Sequence, residues 1–127
     1  MNIEKVIFSF FIVLAFTLNF GFFIGEIDNP AHHNVYELFA TIVVNLIATV
    51  LKFGERTQVG AVLLATSLVA DLELIAAAIM WTVAVHVTAT GLTPEVTTVI
   101  VSLAGGALLA NAVSVVLLVV EISVLRR

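Results

Sequence analysis

Asp71 and Glu73 are carboxylic acids near the middle of an apolar run, Val59 to Val87, that is too long for an ordinary soluble helix. A charged side chain at the centre of a bilayer costs about 2.5–3.5 kcal/mol on insertion scales, so chains seldom keep two without a use for them. At that depth a carboxyl group can bind a cation, exchange a proton, or set the charge of a permeation path. The sequence carries no Lys or Arg beside them. Their counter-charge is then expected to be a proton, a metal cation or a transported ion.

Residues two apart on a helix point about 200° apart, so the two acids face nearly opposite sides and form no acid/base dyad within one chain. Glu73 shares its face with Thr66, Ala70, Ala77 and Ala84, and Asp71 with Gly60, Ser67, Ala78 and Thr82. Small residues on both faces allow close helix approach. One acid is expected to meet the chain's own bundle and the other a neighbouring subunit or a symmetry axis.

A second constellation is the stripe Glu37, Thr41, Asn45, Thr49 and Lys52, which recurs at four- and three-residue spacing and therefore shares one helix face. It reads either as the wall of a hydrated path or as interhelical hydrogen bonding in a dry bundle, worth about 0.6 kcal/mol per contact. Asn19 and Asn111 lie at intermediate depth and could join such a network. Glu26, Asp28, Glu37 and Glu95 gather at the outer boundary with no basic residue among them, an arrangement that concentrates cations. His32 and His33 are weak candidates for metal ligation or pH sensing; as adjacent loop histidines they are expected to be solvent-exposed. Glu121, near the inner end of the fourth span, is expected to reach the interface or to pair with a Lys or Arg there. Ser102, Gly106, Ala110 and Ser114 repeat at four-residue spacing as a packing seam, and Gly21 and Gly25 form a GxxxG pair at a helix end.

The elements that must position these groups follow from composition. Of 127 residues, 61% are hydrophobic and 11% charged, too little polar surface to face water all round; soluble domains carry about 25% charged residues. Lipid must cover much of the chain. The net charge of −4 argues against nucleic acid, and the lack of cysteine excludes disulfides, thiolate metal sites and cysteine nucleophiles. No P-loop, GxSxG, HExxH or dinucleotide fingerprint occurs, so neither enzymatic activity nor a cofactor is expected. The N-terminal apolar stretch exceeds the 7–15 residues or so of a signal core and has no small-x-small cleavage site after it, so it reads as a retained span.

Three polar breaks divide the chain into spans at about 6–24, 35–51, 59–87 and 94–125. Asn34 and Glu37 have capping-box spacing, Gly54 suits a helix C-cap, Thr57 can cap the third span, Gly91 can end it, and Thr93 with Pro94 can start the fourth. All five basic residues, Lys5, Lys52, Arg56, Arg126 and Arg127, fall on one side of a four-span topology. The positive-inside rule makes that side cytoplasmic, and Tyr36 and Trp81 fall near the opposite face. The expected fold is an all-α integral membrane protein of one domain: a four-transmembrane-helix bundle with both termini cytoplasmic, in the plasma or inner membrane. Four short helices enclose little space, so a pore calls for a homo-oligomer. The expected activity is cation permeation past Asp71 or Glu73, with Asn45, Thr41 and Glu37 on the path. A proton-coupled transport element and an accessory subunit of a larger complex are the alternatives.

Overall fold

The computed structural model describes residues 3–53 and 57–125, with side chains as far as Ser123. Gly54, Arg56, Arg126 and Arg127 lie outside the described residues. Within them, α1 (Ile3–Phe23), α2 (Val35–Lys52), α3 (Gln58–His86) and α4 (Pro94–Leu125) account for nearly all the chain, with a single 3-10 turn at Pro30–His32 between α1 and α2. All four helices are long and apolar enough to cross a membrane, which makes this an all-α, multi-pass membrane protein.

The helices start where side chains can satisfy their first N–H groups. The Asn34 side-chain Oδ1 accepts from the Tyr36 N–H (2.8 Å), the Thr57 hydroxyl from Gly60 (2.9 Å) and the Thr93 hydroxyl from Val96 (3.2 Å). Three local expectations are corrected. Glu37 does not complete a capping box with Asn34; its carboxyl packs on Gly21 of α1 instead. Gly91, at φ +66°, belongs to the connection and not to the helix end, because α3 stops at His86, with the Val87 and Thr88 N–H groups both closing on the Val83 carbonyl at 2.9 and 3.0 Å. Gly25, at φ +109°, lies beyond the end of α1, so Gly21 and Gly25 form no helix-packing pair.

Each helix packs mainly on its neighbours in sequence, and α1 closes the ring against α4. Short connections force this up-down order. The core is split in two. Phe22, Leu38, Leu74, Ile100 and Val101 anchor one apolar cluster; Phe8, Ile12, Ala48, Leu63 and Leu118 form the other, towards the Lys5 end. Along their helices Asn19, Asn45, Ser67, Asn111 and Ser114 lie between the two clusters, all fully buried, and Asp71 sits at the edge of the first. Large apolar side chains such as Leu72 and Leu109 are exposed around the outside, where lipid covers them.

Candidate functional site: a carboxylate gripped between two helices

The stripe on α2 points into the bundle: Thr41, Asn45, Thr49 and Lys52 are all buried. That inverts the usual amphipathic pattern and brings a polar row against α3. Asp71, only 6% exposed, is what the row meets. The Asn45 amide donates to Asp71 Oδ1 at 2.7 Å, and the Thr49 hydroxyl lies 2.6 Å from Asp71 Oδ2. The same hydroxyl is 2.9 Å from the Asn45 carbonyl, and the Asn45 amide also approaches the Ser67 carbonyl at 3.4 Å. Both oxygens of the acid are therefore engaged by α2. Asn45 Oδ1 and Ser67 Oγ, beside this contact, are buried without a hydrogen-bond partner among the described residues. Lys52, the next member of the stripe, holds its ammonium over the Phe8 ring, 4.2 Å from the centroid.

Glu73 has a different setting. It is half-buried, and its carboxyl lies on Gly106 of α4, in space that any side chain there would fill. No hydrogen bond to it occurs among the described residues. The seam that carries it is fixed by Thr66 and Ser114, whose hydroxyls are 2.5 Å apart. The ridge expected for close packing is used within the chain: Ser114 is buried, Gly106 and Ala110 are half-buried, and Ser102 is exposed. Within the chain both acids turn towards neighbouring helices, Asp71 to α2 and Glu73 to α4.

Asn19 does not join the Asp71 network. Oriented to satisfy both its polar atoms, its amide donates to the Ala104 carbonyl and accepts from the Leu108 N–H, each at 3.0 Å, and so locks α1 to α4. Asn111 is buried nearby, with Oδ1 unpartnered among the described residues. Glu26, Asp28 and Glu95 are exposed at the end of the bundle opposite Lys5. Glu121 pairs with Lys5.

His33 departs from its expected exposure: it is buried beneath the end of α1. Its Nδ1 lies 2.6 Å from the Phe22 carbonyl and its Nε2 2.8 Å from the Glu26 carbonyl. A neutral imidazole carries one N–H, so both hydrogen bonds form together only on the protonated ring. Neither nitrogen is left for a metal. His32 Nδ1 accepts the Glu26 N–H at 2.9 Å. Among the described residues, no group of three or more His, Asp or Glu side chains is placed to hold a metal ion.

Spacing had put Thr49 on the stripe without singling it out, and it proves to be one of the two residues that touch Asp71. The four-residue step from Asn45 was the available signal.

One family, described as a family of unknown function (DUF6394), matches residues 32–122, which span α2, α3 and most of α4. The chain belongs to that family. No curated protein and no solved structure matches it.

Proposed function

We propose that this member of the DUF6394 family moves cations across a membrane, with Asp71 as the group on which the cation is held. The observation that carries this reading is the burial of an acid between α2 and α3 whose hydrogen-bond partners among the described residues are the side chains of Asn45 and Thr49. A dry packing role would be served at lower cost by an apolar or amide side chain. Thr41 and Glu37 continue the stripe from Asn45 towards the acidic end, where Glu26, Asp28 and Glu95 raise the local cation concentration. In this reading the pathway runs inside each bundle along α2. Glu73, on the α4 side, stands outside it.

The reading includes an orientation and an assembly. The termini face the cytoplasm in this reading, because the basic Lys5 and Lys52 lie at the same end of the bundle, Lys52 over Phe8 near the start of α1. In this reading copies of the chain also associate with one another. Both parts are directly testable: the natural chain has no cysteine, so single introduced cysteines report sidedness and subunit proximity without background.

The test of the activity is flux into liposomes containing the purified protein, with imposed sodium, potassium and proton gradients. Flux that is present in the wild-type protein and lost in Asp71→Ala supports the reading. Flux that is unchanged by that substitution removes it.

A further inference from the structure

The hydroxyl of Thr49 has one hydrogen and two acceptors, the Asn45 carbonyl at 2.9 Å and Asp71 Oδ2 at 2.6 Å. With Asp71 ionised, Thr49 donates to Oδ2 and the Asn45 amide donates to Oδ1. With Asp71 protonated on Oδ2, the acid O–H donates to Thr49 Oγ, and the Thr49 hydrogen turns to the Asn45 carbonyl. Both protonation states are hydrogen-bonded in the same heavy-atom geometry, and the exchange requires only rotation about one C–O bond. From this we infer that the cation held at Asp71 is a proton, bound covalently at Oδ2 and accommodated by the Thr49 hydroxyl. The step balances simply: a hydronium ion gives its proton to the carboxylate and leaves as water, and the site changes from one negative charge to none. This rests on the functional reading above and names the species that moves.

The donor pattern separates a proton from a metal cation. Sodium or potassium needs oxygen lone pairs converging on one point. Here the Asn45 amide and the Thr49 hydroxyl each turn a hydrogen towards the carboxylate, and among the described residues no group of three or more His, Asp or Glu side chains gathers to hold a metal ion. The surrounding charges also suit neutralisation by a proton. The sequence places no titratable residue on α1 between Lys5 and Glu26, on α2 between Glu37 and Lys52, or on α4 between Glu95 and Glu121. On α3 the only other acid is Glu73, turned towards Gly106. Lys52 is the basic residue next along the stripe, with its ammonium over Phe8. The buried, unpartnered Ser67 Oγ and Asn45 Oδ1 offer two further oxygens beside the acid where an arriving water could pass its proton on.

Infrared difference spectroscopy of the full chain in lipid vesicles, recorded across the pH range in which it stays folded, tests the inference. One component of the protonated-carboxyl band should grow as pH falls, be missing in Asp71→Asn and persist in Glu73→Gln. Thr49→Val should move the band to higher frequency by removing its acceptor, and Thr49→Ser should restore it, a change that a purely structural hydroxyl would not produce. A carboxyl band that loses no component in Asp71→Asn overturns the inference. Sodium or potassium flux that depends on Asp71 while the acid stays ionised throughout also overturns it, and leaves the broader cation reading standing. A titrating Asp71 in a protein that passes no cation upholds proton binding and sinks transport.

Discussion

Asp71 and Glu73 are separated by one residue on the same helix, and the bundle treats them in opposite ways. Asp71 has a stem one carbon shorter, reaches directly into α2 and finds a donor for each oxygen. Glu73 lies along α4 over the notch that Gly106 leaves, without a hydrogen bond among the described residues. The difference is one of supply. The α2 face brings Asn45 and Thr49 to Asp71, whereas the α4 residue beneath the Glu73 carboxyl is Gly106. Small residues give an acid room and no partner; amides and hydroxyls hold it in one place. A group meant to bind and release something at a fixed point needs the second environment.

The largest effect should come from removing the held acid. Asp71→Leu leaves the buried Asn45 amide with only its 3.4 Å approach to the Ser67 carbonyl, while the Thr49 hydroxyl keeps the Asn45 carbonyl as acceptor, and should cost about 2 kcal/mol in reversible detergent unfolding together with loss of flux. Replacing Asn45 and Thr49 as well, by Leu and Val, should recover most of that stability and none of the flux. A triple variant as unstable as the single one would show that these contacts do not account for the loss. Outside the spans, His33→Ala strips the Phe22 and Glu26 carbonyls of their donor and should cost about 2 kcal/mol, read as a lower unfolding midpoint; a change near zero would mean that water replaces the ring freely.

The neighbouring glycines of α4 give a finer comparison. An added Cβ at Gly105 would lie 2.7 Å from the Phe23 ring, which is wedged against the core, so Gly105→Ala should destabilise by about 1–2 kcal/mol. At Gly106 the obstacle is only the far end of Glu73, which can swing aside, and Gly106→Ala should be near neutral. Equal costs for the two would contradict the separation drawn between a fixed ring and a loose carboxyl. The smallest effect belongs to Glu73→Gln, expected to shift stability by no more than about 0.5 kcal/mol.

Helix positions were legible because the signals are local. Long apolar runs set the four spans, and Asn34, Thr57 and Thr93 cap the helices that follow them. Which side chains meet across helices was less so. The spacing of Glu37, Thr41, Asn45, Thr49 and Lys52 defined a face, and the spacing of Asp71 and Glu73 defined two more, but spacing within one helix says nothing of the rotation of its neighbour. The contact of Asn45 and Thr49 with Asp71 is a fact about that rotation. The direction of Glu73 was less legible for another reason: a long flexible side chain can cover a neighbouring glycine wherever its Cα points. His33 was hidden by a turn of the connection, where the Asn29 side chain accepts the Ala31 N–H at 3.0 Å and Pro30 opens a 3-10 turn that carries the ring under α1. Adjacent histidines in a sequence give no sign that one is solvated and the other enclosed.

The most direct test sets the two acids against each other in one assay. Liposomes carrying equal amounts of folded wild-type, Asp71→Asn and Glu73→Gln protein, compared for cation and proton flux under the same gradients, should show activity abolished by the first substitution and retained after the second. Loss in Glu73→Gln with full activity in Asp71→Asn would place the function on the α4 side of the helix and contradict the account.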